Sequence, residues 1–312
     1  MKHLAQLIPA LSILIVLGFF YIVLKALAKY YQLKNRRSPF KDKFLRCPGE
    51  SLRAQLEDIS VDLNVYLFSS LITPLFFYSA IITQAYFGGK AISALTVWIL
   101  ILIAVAFEGY FIFKLVNLIG KRCKFRLGYE GELAVGQEVN QLLGKGYAVY
   151  HDFPAEKFNI DHIVVGRAGV FAVETKARQK PITGNGRADA NVIYDGLKLH
   201  FPDWTETKPL EQARRQAQWL SKWLSSAVGD YINVQPVLAL PGWFVERTAL
   251  NGFPVINPKQ FRSILKPTKA RALDGSMITR IVHQIDQRCR DVHPRAGEGL
   301  GGKPGLPDLG NA

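Results

Sequence analysis

Three side chains stand at a spacing that can do chemistry: Asp161, Glu174 and Lys176. Asp161 opens the run Asn159-Ile160-Asp161-His162-Ile163-Val164-Val165. Glu174 and Lys176 close the run Val170-Phe171-Ala172-Val173-Glu174-Thr175-Lys176. Both runs are apolar, β-branched and separated by a turn from Gly166 to Gly169, so they read as a strand hairpin. The two-residue period of a strand puts Glu174 and Lys176 on one face. The hairpin then brings an aspartate, a glutamate and a lysine to one sheet edge. Two carboxylates suit a hard divalent cation such as Mg²⁺ or Mn²⁺, which prefers oxygen ligands. A neighbouring lysine can activate a water or stabilise charge on a phosphate. Glu-x-Lys by itself also occurs on ordinary solvated strands. Here Glu174 follows Val-Phe-Ala-Val, and a carboxylate on a buried strand is costly unless it meets a cation.

The elements that must hold these residues are legible on both sides. From Gly128, the apolar positions Leu133, Val135, Val139, Leu142 and Leu143 predict an amphipathic helix ending at Gly144. A strand at about 147–152 precedes the hairpin. After it, Asn191 to Phe201 alternates like a second hairpin around Asp195-Gly196. Pro209 to Val228 is a long helix, Val234 to Leu240 a buried strand, Pro254 to Ile256 a short strand and Pro258 to Leu265 a short closing helix. Leu273 to Val292 is helical, with Met277, Ile281 and Ile285 on one face. From Pro294 the tail is rich in Gly and Pro and cannot bury a core.

Asp followed one strand later by Glu-x-Lys is the layout of the PD-(D/E)XK nucleases. The surroundings narrow the likeness. The chain resembles the nuclease-related domain (NERD), whose pattern runs Gly-x-x-Gly-Glu, Ile-Asp-His-Ile-Val-Val, Gly-Val-Phe-x-Val-Glu-Thr-Lys and Pro-x-x-Gln-Ala. The four pieces stand in order at Gly128–Glu132, Ile160–Val165, Gly169–Lys176 and Pro209–Ala213. The resemblance spans roughly residues 124–265. It implies an α/β fold, a restriction-endonuclease-like mixed sheet flanked by helices, here preceded by an all-α transmembrane region. It makes Asp161 and Glu174 the metal ligands. Lys176, the helix acid Glu132 and Gln212 join them as catalytic residues, and Mg²⁺ (or Mn²⁺) is the implied cofactor. Glu130 rivals Glu132 but is not the position the pattern matches. Glu132 is also an ordinary first-turn glutamate of the kind a helix dipole favours.

Arg178, Lys180, Arg187, Arg214 and Arg215 are candidate nucleic-acid contacts around this site. The competing reading of such a charge run is a solvated face. His162 follows Asp161 and points to the opposite face, so it reads as structural, as does His151. The chain has no Ser/His/Asp order, no phosphate-cradling glycine loop and no His-x-x-x-His pair.

Hydrophobicity is segregated. Apolar runs fall at about 7–27, 63–87 and 91–119, each long enough for a transmembrane helix. A secretory signal is the rival for the first run, but it exceeds a normal h-region. The net charge of +14 suits an anionic partner, nucleic acid or acidic lipid. Basic residues flank the runs at 29–46 and at Lys121, Arg122, Lys124 and Arg126. By the positive-inside rule both flanks are cytoplasmic and the N-terminus lies outside. The expected division is a membrane region 1–120 with a basic cytoplasmic loop 28–62, a nuclease-like domain 121–268, a C-terminal helix 269–293 and a disordered tail 294–312. Ser51 to Asp62 reads as a helix along the membrane surface, and 29–46 could contact anionic lipid. Glu108 stands inside the third run, either as a functional intramembrane carboxylate or bonded to a neighbouring helix. Cys47, Cys123 and Cys289 show no disulfide or metal-ligand spacing.

These observations predict a multi-pass cell-membrane protein whose cytoplasmic domain is a metal-dependent nuclease hydrolysing phosphodiester bonds, with DNA the expected substrate. The alternatives are a non-catalytic nucleic-acid-binding or scaffold protein on the same fold, since fold does not guarantee function, and an envelope protein working through its basic loop.

Overall fold

The computed structural model describes residues 15, 18–27, 29–30, 42–87, 92–181, 188–249, 251–265 and 272–294. The chain forms two compact units. One comprises Met1–Asp42, Ile59–Lys121 and His293–Ala312, the other Lys43–Asp58 and Arg122–Val292.

Within the first unit, Gly18–Leu27 is helical, and the rest of the 7–27 run lies largely outside the described residues, as do most of 28–41 and the tail beyond Pro294. Two long helices run through it, α1 (Glu50–Phe87) from residue 59 onward and α2 (Ala94–Asn140) up to residue 121. Both are long and apolar enough to cross a membrane by length and composition. Their surfaces carry exposed Phe68, Phe76, Leu102 and Phe113, apolar area that in water marks a contact surface. Ser70 Oγ donates to Glu108 Oε2 at 2.7 Å, so this carboxylate bonds to the neighbouring helix. Tyr66 packs edge-on against Tyr110 nearby.

Helix boundaries differ from the sequence expectation. The surface helix over Ser51 to Asp62 and the second apolar run are one helix, α1, through Pro74. The third run and the first helix of the soluble domain are also one, α2, with no break near 120. The physical reason is that Gly120 and Gly128 only weaken a helix, by about 1 kcal/mol each relative to Ala, and no proline or capping residue enforces a stop.

The second unit is built on a five-stranded sheet in the order β10-β8-β4-β3-β2. β2 (Ala148–Pro154), β3 (Asn159–Gly166) and β4 (Gly169–Thr175) form an antiparallel meander. β8 (Val234–Ala239) and β10 (Val255–Ile256) add parallel to β4. All seven residues of β4 are buried. It is flanked by strands on both sides and covered on both faces, which explains its near-continuous apolar run. On one face, α3 (Lys208–Val228) and α4 (Gly275–Cys289) bury Leu220, Leu224, Ile281 and Ile285 against Ile163, Val165, Val170 and Ala172. On the other, the end of α2 buries Val135 and Val139 against Val164, Phe171 and Val173. Each such side chain contributes about 1.5–3 kcal/mol.

A second sheet has the order β7-β6-β5-β9, from β5 (Asn191–Tyr194), β6 (Leu199–His200), β7 (Thr205–Glu206) and β9 (Phe244–Arg247). The hairpin at Asp195-Gly196 joins β5 and β6 as its turn residues predict. β7 and β9 were not legible: the first has two residues and the second alternates too little apolar character. A two-stranded ribbon pairs β1 (Phe44–Leu45) with β11 (Arg290–Val292). Residues 43–58 and α4 belong to the same compact unit as the five-stranded sheet, in addition to the expected span 121–268.

Candidate active site

The β3–β4 register pairs His162 with Val173. Continued by one residue, it sets Asp161 opposite Glu174 on the face that also carries Ile163 and Ala172. Asp161 accepts a hydrogen bond from the Thr175 N–H at 2.6 Å. Glu174 is 1% exposed, and Lys176 Nζ lies 2.5 Å from its Oε1. Otherwise both carboxylate oxygens of Glu174 are buried without a well-formed hydrogen bond among the described residues. The chain thus buries an acid on its central, fully buried strand and leaves it short of donors.

Glu132 reaches the same place from α2. Gly131 makes the approach possible, because a Cβ there would come 2.7 Å from Ala177 Cβ. Glu132 is half-buried and its Oε2 has no partner among the described residues. Its rival Glu130 is exposed and pairs with Arg126 at 2.9 Å.

The electrostatics follow from crowding. Burial pushes the Asp161 carboxyl well above the usual range, and the charges of Glu174 and Glu132 push it further. Burial also raises Glu174, opposed by Lys176, by the Gln216 side chain and by Arg215. Glu132 is pushed up to about 8 by burial, Asp152 and Glu174, against the pull of Lys176 and the Gly49 N–H. Three carboxyls that resist ionising together form a site short of positive charge.

Among the described residues no group of three or more His, Cys, Asp or Glu side chains is placed to hold a metal ion. That does not exclude Mg²⁺. This ion keeps several waters and takes one or two carboxylates plus phosphate oxygens rather than an all-protein cage. Adjacent Asp161 and Glu174, with the buried oxygens of Glu174 short of donors, fit that mode.

Gln212 and the basic residues are placed unequally. Gln212 is half-buried in the first turns of α3. Gln216, one turn on, is the glutamine at Glu174; it is 1% exposed, its Nε2 donates to Asn159 O at 3.1 Å, and its Oε1 is unpartnered. The doubled Gln-Ala at Gln212-Ala213 and Gln216-Ala217 was the available signal, since residues four apart share a helix face. Arg215 stands close enough to act on Glu174. Arg214 lies over the Phe253 ring at 5.3 Å and lines a cavity of about 480 Å³ with Lys222 and Tyr231. Arg178 is held in a two-pronged pair with Glu206, at 2.8 and 3.0 Å. Lys180 lies over Trp243 at 5.9 Å, and Arg187 falls outside the described residues. The expected single rim is not assembled: Arg215 faces the acids, while Arg214 and Arg178 have partners of their own.

Residues 127–241 match the family model of the nuclease-related domain. The chain carries a nuclease-related domain. The matched span contains Glu132, Asp161, Glu174, Lys176 and Gln212, and the mixed sheet flanked by helices is consistent with a nuclease-like α/β fold. No curated protein and no solved structure matches the chain. The two candidate membrane helices begin N-terminal to the nuclease-related domain, and α4 follows it.

The buried histidines lie across the sheet. His151 Nδ1 and His162 Nδ1 are 2.8 Å apart, and His151 Nε2 lies 2.9 Å from Asn140 Oδ1. Burial lowers His151 to about 4 and His162 well below its usual value. Two neutral rings bonded to each other hold a core together and carry no positive charge at neutral pH.

Proposed function

We propose that this protein is a membrane-anchored, metal-dependent nuclease that hydrolyses phosphodiester bonds, with DNA as substrate. The observation that carries the reading is the placement of Asp161 opposite a buried Glu174, with Lys176 against Glu174. Asp161 and Glu174 are the side chains that would hold Mg²⁺ or Mn²⁺. When bound, such an ion supplies Lewis-acid polarisation of the phosphate and lowers the pKa of an attacking water. The rigid β4 fixes Glu174, and Gln216 keeps its carboxylate oriented. Lys176 leaves Glu174 to meet the scissile phosphate, where its charge stabilises the developing negative charge. Glu132, protonated at neutral pH in the metal-free site, holds a proton next to the acids. Arg215 steers the backbone of the nucleic acid.

A non-catalytic nucleic-acid-binding or scaffold role is the second reading, favoured by the direct Lys176–Glu174 contact, which already neutralises one acid. Incubation of the full chain with Mg²⁺ and single- and double-stranded DNA and RNA separates the two. Cleavage lost in Glu174→Gln supports the enzyme, and binding without cleavage supports the scaffold.

In this reading the apolar stretch 63–87 of α1, the apolar stretch 94–119 of α2 and the N-terminal apolar run lie in the cell membrane, the N-terminus is outside and the nuclease-related domain is cytoplasmic. The basic residues from Lys29 to Lys43 contact anionic lipid, Arg46 being held by Asp152 and Asp291. A reporter fused after Ala312 should be active only as a cytoplasmic reporter, and its export would overturn the topology.

A further inference from the structure

The family match begins at residue 127, yet part of the candidate site is formed by a much earlier segment. The Arg46 N–H donates to Cys289 O at 3.1 Å, next to the β1–β11 pairing. The Arg46 guanidinium donates from Nε and Nη2 to Asp291, at 2.7 and 2.8 Å, and from Nη1 to Asp152 Oδ2 at 2.9 Å. Asp152 Oδ2 also accepts from the Ser51 N–H at 2.9 Å and from Ser51 Oγ at 2.6 Å, and Oδ1 accepts from Asn159 Nδ2 at 2.9 Å. Asp152 is 3% exposed and holds φ at 48°, a conformation that costs a non-glycine residue energy and persists only when neighbours fix it.

Between Arg46 and Ser51 the chain presses onto α2. A Cβ on Gly136 would come 2.6 Å from Pro48 Cγ. Gly49, at φ +69°, packs on the Tyr129 ring, and a Cβ there would meet Tyr129 at 2.6 Å and lie 3.7 Å from Glu132 Cβ. Its N–H also stands close enough to the Glu132 carboxyl to pull its pKa down against burial. Residue 49 has to be glycine to reach this position with its amide free to donate.

We propose that Arg46–Ser51 is a positioning strap for the helix acid Glu132, clamped by the Arg46–Asp152–Ser51 network and acting through the Gly49 amide. Ordinary packing would bury apolar area. This segment instead spends a buried aspartate, a two-sided arginine and a left-handed glycine to set one amide against one carboxylate. The clamp joins the sheet to the C-terminal ribbon, since Asp152 lies in β2 and Asp291 in β11, outside the matched span. The strap's catalytic meaning rests on the nuclease reading above; the contact itself does not.

The test uses the full chain in lipid nanodiscs. Amide hydrogen exchange at Gly49 reads the contact without any reaction: Glu132→Ala and Arg46→Met should each speed exchange at Gly49 by about tenfold. Single-turnover cleavage of labelled DNA with Mg²⁺ reads the role. Arg46→Met should lower kcat about tenfold with KM unchanged, and should have no further effect in a Glu132→Gln background. Arg46→Lys should restore part of the loss. If Arg46→Met fails to fold, Asp291→Asn, which frees one side of the clamp, should show the same pattern at about two- to threefold. Unprotected exchange at Gly49 in the native protein overturns the strap, whatever the cleavage. So do Arg46 and Glu132 effects that multiply, since those are independent. Native exchange protection with no cleavage by the native protein overturns the nuclease reading and the strap's catalytic role with it, leaving a structural contact.

Discussion

Asp161 and His162 are neighbours on one strand, and they face opposite sides of one sheet. His162 meets His151, which meets Asn140, and the chain of hydrogen bonds is consistent with two neutral rings. If the Asn140 oxygen accepts from His151 Nε2–H, then His162 Nδ1–H donates to His151 Nδ1. Only a lone pair on His162 Nε2 is left over. Asp161 meets Glu174 and Glu132, which repel it. Both clusters are buried, both are polar and both have shifted pKa values. The difference is that one satisfies itself and the other requires something positive from outside. Buried polarity marks a functional site when its partners are missing, not when its pKa is merely unusual.

The largest expected effect breaks the acid side of this comparison. Glu174→Gln keeps the shape and removes the charge, so cleavage should fall by at least about a thousandfold while nucleic-acid binding survives. Gel-shift and single-turnover assays on the same preparation check both parts. Lys176→Ala should cost about a hundredfold and spare metal affinity, because the lysine acts on the phosphate. Gln216→Leu should cost about tenfold, more than Gln212→Leu, since Gln216 is the one at Glu174.

The two clusters also carry opposite pH signatures. Glu132 titrates near 8 against an ordinary 4.5, so the folded state holds the extra proton and stability falls as pH rises between those values. His151 titrates near 4 against an ordinary 6.5, so the unfolded state binds more protons and stability rises with pH across that window. In metal-free buffer, Glu132→Gln should therefore gain about 1–2 kcal/mol over the native protein at pH 8 and little at pH 5. Denaturant titrations at the two pH values decide it, and an equal gain at both would show that the acid is not strained.

The smallest effect concerns the surface. Arg215→Ala should flatten the salt dependence of DNA affinity by about one unit of slope, the share of one phosphate contact. Arg178→Ala should change it less, because Glu206 already holds that guanidinium. Equal slopes would restore the single rim that the side-chain positions argue against.

The chemistry was legible because it is local. Asp161, Glu174 and Lys176 lie on two strands joined by a short turn, and strand periodicity fixes their faces. Glu132 could be chosen over Glu130 only through the family pattern; the structure separates them by the Arg126 pair. Gln216 was not singled out beside Gln212, because how far along the helix the sheet is met is set by packing that a sequence does not display. The strap was invisible for a different reason. Arg46, Asp152 and Asp291 are far apart in sequence and meet only when β1 pairs β11. A charge run shows its sign but not its partners, so the separate partners of Arg178 and Arg214 were not legible.

The central claim is that Asp161 and Glu174 form a metal-dependent hydrolytic centre. Its most direct measurement is cleavage of double-stranded DNA by the full chain, followed with increasing Mg²⁺, beside Glu174→Gln prepared identically. The account predicts products from the native protein that rise with Mg²⁺, vanish with chelator and are absent from Glu174→Gln. Cleavage by Glu174→Gln at the native rate would contradict it, because the activity would then come from somewhere other than this pair of acids.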